Sequence, residues 1–161
     1  MNAIPTPPTA ARELVINRII DAAPEKLYRA WTEPALLKQW FAPKPWTTPG
    51  AELYVRPGGG NLITMRSPEG QDMPNPGMYL EVVPNKRLVF TDAYTKNWEP
   101  KDGNPFMTVI LTFEDMGNGK TNYTARVLHW TQEAYDQHVK MGFHQGWGIC
   151  ADQLTALVTT L

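Results

Sequence analysis

The last thirty-one residues constrain this chain most. From Thr131 to the C-terminus, apolar or small residues recur at Tyr135, Val139, Gly142, Phe143, Gly146, Cys150, Leu154, Leu157 and Leu161, a spacing of three or four that marks an amphipathic helix. Thr131 sits where an N-cap belongs, and Gln132 and Glu133 suit the positive end of the helix dipole. Nearly everything before this stretch reads as short strands. One long helix after a run of strands must cover a face of the sheet they form. Its apolar side also carries Met141, His144 and Trp147, a mixture that suits a cavity wall better than a plain packing seam. Gly142 and Gly146 each weaken a helix by roughly 1 kcal/mol relative to alanine, which close approach to the sheet, or a break near Met141-Gly142 with a short helix before it, would explain. The stretch is therefore expected in two pieces: a separable turn over 131–140 at the cavity mouth, and the long helix from about Phe143.

Taken in order, residues 1–11 contain Pro5, Pro7 and Pro8 without periodicity and are expected as an extended arm, with a single domain over 12–161. Residues 13–22 alternate as strand one. Pro24 and Pro34 each stand at the first position of a short helix, with Leu27, Tyr28, Trp31 and then Leu37, Trp40, Phe41 on the apolar sides. Further strands are expected over 52–57, 62–67, 77–83, 87–94, 106–114 and 121–129, with Gly58-Gly59-Gly60-Asn61 as a tight turn and 95–105 as a polar loop. About seven strands at hairpin spacing make an antiparallel sheet with one covered face. Met107, Val109, Leu111 and Phe113, with Tyr123, Ala125, Val127 and His129, are the rows expected under the helix.

At 161 residues the chain can bury about two-thirds of its unfolded surface without a staple. Its net charge of −1 and lack of a Lys/Arg run argue against nucleic acid as a partner. A single cysteine, Cys150, excludes an internal disulfide and fits a reducing, cytoplasmic setting. No signal peptide is visible, and no apolar run approaches the roughly 18 residues of a membrane span. The Asn122-Tyr123-Thr124 sequon is read as chance.

Four ordered motifs carry a resemblance. They are Arg18-Ile19-Ile20-Asp21-Ala22-Ala23-Pro24-Glu25 with Ala30-Trp31-Thr32-Glu33-Pro34 and Gln39-Trp40-Phe41; Arg56-Pro57-Gly58-Gly59; Gly77 with Glu81-Val82-Val83-Pro84 and Arg87-Leu88-Val89-Phe90; and Gly146-Trp147 with Leu154. In this order they resemble the domain named after the activator of the heat-shock-protein-ninety ATPase (AHSA-type), of the START-like, birch-pollen-allergen-like SRPBCC superfamily. The resemblance implies an α+β helix-grip fold: a curved antiparallel sheet wrapped around the long C-terminal helix, two short helices between strands one and two, and an apolar cavity between sheet and helix. It also implies lipids, hormones or polyketides as ligand classes, with cyclases, aromatases or hydrolases among relatives. The eukaryotic activator has a separate chaperone-binding domain, and residues 1–11 stand in its place here, so chaperone activation ranks third.

The favoured reading is a binder of a small hydrophobic or aromatic molecule, contacted by Met65, Met78, Phe90, Met107, Val109, Met141, His144 and Trp147, with Arg56 orienting an acidic group or pairing with Glu81 or Asp92. The alternative is a cavity enzyme with His144, or a carboxylate, as general acid/base. His129 and His138 have weaker cases. His138 and His144 are six apart, which does not suit a shared metal on one helix face, so neither metal nor cofactor is expected. Trp98 is a candidate cover for the cavity mouth. Cys150 reads as a buried, inert thiol. Whether Glu81 and Asp92 share a face depends on register and stays open, as does a homodimer.

Overall fold

The structure, a computed structural model, describes residue 8 and residues 10–161. The arm expected over 1–11 lies for the most part outside the described residues. Strand β1 (Glu13–Ile20) is followed by α1 (Pro24–Thr32) and α2 (Pro34–Trp40). Both helices begin on proline, whose missing N–H costs nothing in a first turn. Extended Glu33 closes the first and opens the second. Leu27, Ala30, Trp31, Leu37 and Trp40 are buried between them and the sheet, and the Trp40 indole donates to the Ala30 carbonyl at 3.0 Å.

Six more strands follow: β2 (Thr47–Leu53), β3 (Gly60–Arg66), β4 (Asp72–Val83), β5 (Arg87–Thr91), β6 (Met107–Gly117) and β7 (Lys120–His129). They form one antiparallel sheet in the order β1-β7-β6-β5-β4-β3-β2. The rows expected under the helix are aligned by register, with Val109 opposite Val127, Leu111 opposite Ala125 and Phe113 opposite Tyr123. These six side chains are buried.

Several strand boundaries differ from the sequence reading, and β5 ends three residues before the expected 94. The second strand lies at Thr47–Leu53 rather than 52–57, and 54–59 form a loop instead of a tight turn. That loop folds onto β4 through Gly58 N–H to the Tyr79 carbonyl (2.8 Å) and Tyr79 N–H to the Gly59 carbonyl (2.9 Å). A side chain on Gly59 would strike the Tyr54 carbonyl, so the loop depends on glycine there. Strand β4 also starts five residues early, although it contains Pro74 and Pro76. Over this half β4 pairs with β3 alone. Two prolines of the same parity can turn their donorless nitrogens to the open edge.

The C-terminal stretch is in two pieces, and the first is a short helix before the Met141-Gly142 break rather than only a turn. Helix α3 (Gln132–Lys140) is capped by Thr131, whose hydroxyl accepts from Ala134 N–H at 3.0 Å. Gly142, at φ 84°, separates it from α4 (Phe143–Val158). Helix α4 packs on β1, α1 and α2, burying Ala151, Leu154 and Val158. Its close approach is at Gly148, where an added Cβ would lie 3.3 Å from Arg18 Nη2. Gly142→Ala should lower stability by roughly 1–2 kcal/mol, because an L-residue is strained at that positive φ. Urea unfolding of the variant checks this, and an unchanged midpoint would refute the strain.

Candidate functional site

Helix α4 covers only the β1 side of the sheet, and beside it lies a cavity of about 500 Å³. Trp31 of α1, Trp40 of α2 and Phe41 just beyond it form one wall; Phe143, Trp147 and Cys150 from α4 form another. The sheet contributes Ile63, Met65 and Met73, then Phe90, Met107 and Val109. The walls are braced by ring contacts, Trp31 to Trp40 at 4.7 Å, Trp31 to Phe90 at 5.9 Å and Phe143 stacked on Trp147 at 5.4 Å. Gly146 also lines the cavity, and a Cβ built on it meets nothing within 4 Å. It leaves room rather than allowing close approach. A wider trough of about 840 Å³ lies near Ala23–Glu25 and the β6–β7 strands, but it is shallow and open, with polar walls such as Glu114, Asn122 and Arg126.

Of the residues singled out in the sequence, Met65, Phe90, Met107, Val109, Met141 and Trp147 line the cavity. Met141 stands at its mouth, 68% exposed. Arg56, Met78 and His144 do not line it. Arg56 is exposed in the 54–59 loop, with its guanidinium 5.9 Å from the Tyr54 ring. The acids proposed for it are taken: Glu81 pairs with Arg87 at 3.0 Å, Asp92 with Lys101 at 3.8 Å. Met78 is fully buried, but strand alternation sends Met73, Asn75 and Gly77 to the cavity and Met78 to the other face. There its sulfur accepts from Trp98 N–H at 3.2 Å. Trp98 therefore packs over the back of the sheet, against Gly58, rather than over the mouth. His144 lies one position round α4 from Phe143 and is exposed. Glu81 is exposed and Asp92 lines the cavity, so the two carboxylates are not a pair.

Several of the cavity's polar groups follow one row across the sheet, while Asn75, Lys101, Tyr123 and Gln137 line it elsewhere. Asn61 pairs with Gly77 in register, and Met107 with His129. Asn61 is 8% exposed and lines the cavity, and its side-chain amide makes no hydrogen bond to the described residues. Gly77 makes room for it, since a Cβ there would lie 2.7 Å from Asn61 Oδ1 and 2.8 Å from the Thr91 carbonyl. Asp92 is occupied by the backbone N–H groups of Phe106 (2.9 Å) and Met107 (3.1 Å).

At the other end of the row stands a histidine pair the sequence reading ranked low. His129 Nε2 lies 2.8 Å from His138 Nδ1, and His129 Nδ1 lies 3.0 Å from the Arg12 carbonyl. Both rings are buried, and His138 lines the cavity between the rings of Phe106 (5.2 Å) and Phe143 (5.0 Å). Burial, then the neighbouring His129, lowers the His138 pKa to about 4, and burial lowers that of His129. Burial also raises the Cys150 thiol to about 11 and pushes the Tyr123 phenol up. The Trp31 indole N–H lies close enough to Tyr123 to pull its phenol partly back, without closing a regular hydrogen bond. At neutral pH the imidazoles, thiol and phenol are thus all uncharged. Among the described residues no three of His, Cys, Asp and Glu converge as a metal site, and no helix is long and apolar enough to cross a membrane.

The family described as Activator of Hsp90 ATPase homolog 1-like protein (AHSA1) matches residues 21–159. The chain belongs to the AHSA1 family. A crystal structure from Nitrosomonas europaea is 39% identical, covers 94% of this chain and 97% of its own, and superposes with a TM-score of 0.88. A Rhodobacter sphaeroides protein is 25% identical over 96% of this chain and 97% of its own, with a TM-score of 0.81. An AHSA1-like protein of Aeromonas hydrophila, 21% identical over 92% of both chains with a TM-score of 0.70, shares the fold. No curated protein matches the chain. AHSA1 membership and the sheet–helix arrangement make this an α+β helix-grip domain of the SRPBCC superfamily, as the motifs implied.

The histidine pair sets a pH dependence. Between the ordinary value of 6.5 and about 4 the unfolded chain takes up a proton that folded His138 refuses. Stability is full above 6.5 and falls as pH falls through this window, by up to roughly 3 kcal/mol, with His129 adding in the same direction. Urea midpoints at pH 7.5 and 4.5 measure it. His138→Leu should flatten part of the fall, and an equal fall in the variant would assign it to other groups.

Proposed function

We propose that this AHSA1-family protein binds a small hydrophobic or aromatic molecule in the cavity between the sheet and α4. The observation that carries this reading is a space of about 500 Å³ with aromatic and thioether walls that no side chain among the described residues fills. Pockets of roughly 300–1,000 Å³ with apolar linings and a few placed polar groups are the usual form of small-molecule sites. Two features argue that the space is built rather than left over. Gly146 withholds a side chain from the first turn of α4, at a helix cost of up to roughly 1 kcal/mol. The Trp31 indole N–H on the cavity wall is buried without a regular hydrogen-bond partner among the described residues, and such a group costs about 1–3 kcal/mol until something supplies one.

Apart from the Asp92–Lys101 pair, the groups around the cavity favour a neutral ligand over an acidic one. The lining imidazole, thiol and phenol carry no charge at neutral pH, and Arg56 stands outside. Burying an unpaired carboxylate against apolar walls would be strongly unfavourable.

Neutral bicyclic aromatics should quench the tryptophan fluorescence of Trp31, Trp40 and Trp147 and raise the melting temperature. Gly146→Leu puts a side chain into the open space. It should weaken binding by at least about tenfold while leaving the melting temperature equal or higher, since leucine favours the helix. A panel of apolar and aromatic probes that changes neither fluorescence nor melting would refute the reading.

A further inference from the structure

The histidine pair has a direction. A carbonyl oxygen only accepts hydrogen bonds, so at 3.0 Å from the Arg12 carbonyl His129 Nδ1 must carry the proton. In a neutral ring that leaves His129 Nε2 bare, and it accepts from His138 Nδ1–H at 2.8 Å. The proton of His138 is then committed to Nδ1, and its Nε2 is a bare acceptor. That nitrogen has no partner among the described residues, on a ring 8% exposed that lines the cavity. The backbone carbonyl of Arg12, held in turn by His129 N–H at 3.0 Å, anchors a chain that runs from the sheet edge into the cavity.

We propose that His138 Nε2 is the polar contact of the cavity, and that the ligand is an aromatic or alicyclic molecule bearing a neutral hydroxyl that donates to it. This rests on the ligand-binding reading above and narrows it. The relay fixes the tautomer and ring orientation, as second partners do for liganding histidines. Phe106 and Phe143 flank the ring, so a hydroxyl bound there lies among aromatic groups and continues as an aromatic or alicyclic body toward Phe90 and Trp147. The ring is too weak a base to take a phenol's proton, since burial holds its pKa near 4. It accepts a hydrogen bond and leaves the ligand neutral. An ether of the same shape leaves Nε2 unpaired, and a carboxylate sets lone pair against lone pair.

The test compares 1-naphthol, 1-methoxynaphthalene and 1-naphthoate on the wild-type protein by calorimetry at pH 7.5. The naphthol should bind about tenfold more tightly than the ether, the span of one buried hydrogen bond, and the naphthoate more weakly than either. Long-range proton–nitrogen NMR should show His138 protonated on Nδ1, with its Nε2 resonance moving upfield when naphthol is added. The naphthol preference should vanish in His138→Leu and persist in Asn61→Ala, because Asn61 offers the other unpartnered acceptor. Equal affinity for naphthol and ether, tighter naphthoate, an unmoved Nε2 resonance, or a preference lost in Asn61→Ala instead would overturn the proposal while leaving ligand binding intact. If none of the three binds, the ligand-binding reading itself fails. The wild-type comparison and the resonance shift decide the matter even where a variant does not fold.

Discussion

One helix cannot cover seven strands. At about 4.8 Å per strand the sheet is roughly 29 Å across, while an α-helix with its side chains is about 10–12 Å wide. Helix α4 settles against β1 at one edge, with Gly148 over Arg18, and the apolar face of β3 to β6 is left needing another cover. Helices α1 and α2 supply part of it with Trp31, Trp40 and Phe41, and α3 closes one end. What none of them reaches is the cavity. Most of the molecule's other features can be read as ways of keeping that mismatch open without collapse.

Rings hold the walls apart. Trp31 braces against Trp40 edge to face and against Phe90 at a tilt, and Phe143 stacks on Trp147, so large rigid side chains lean on one another instead of folding inward. Glycines act in the opposite sense by withholding side chains, Gly146 from the helix and Gly77 from the sheet beside Asn61. Several of the polar groups stand along one row, from Asn61 through Asp92 to the His129–His138 pair, between walls built largely of aromatic rings. Such a site orients a molecule by one end and holds the rest by shape.

Much of this was legible in the sequence where a local rule governs the outcome. Pro24 and Pro34 open helices, Thr131 caps one, and the Met141-Gly142 step breaks the C-terminal stretch. The β6 and β7 rows follow from alternation alone. What was illegible depends on a choice that only the assembled fold makes. Pro74 and Pro76 read as breakers because nothing local says that this half of β4 is an open edge. Spacing alone puts His144, three residues before Trp147, on the apolar side of the helix, but with Phe143 and Trp147 stacked at the cavity wall His144 is exposed. His129 and His138 come from β7 and α3, and no spacing rule joins them. Only the turn between those elements brings their nitrogens to 2.8 Å.

The central claim is that the space beside α4 is a binding site, open in the protein as it stands. A crystal structure of the wild-type protein soaked with 1-methoxynaphthalene, whose ether makes no demand on His138, tests it most directly. The account predicts a bicyclic ring between Trp31, Phe90 and Trp147, with Gly146 facing it and the surrounding backbone unmoved. Indole rings of Trp31 and Trp147 swung inward to fill the space, with the probe absent, would contradict it.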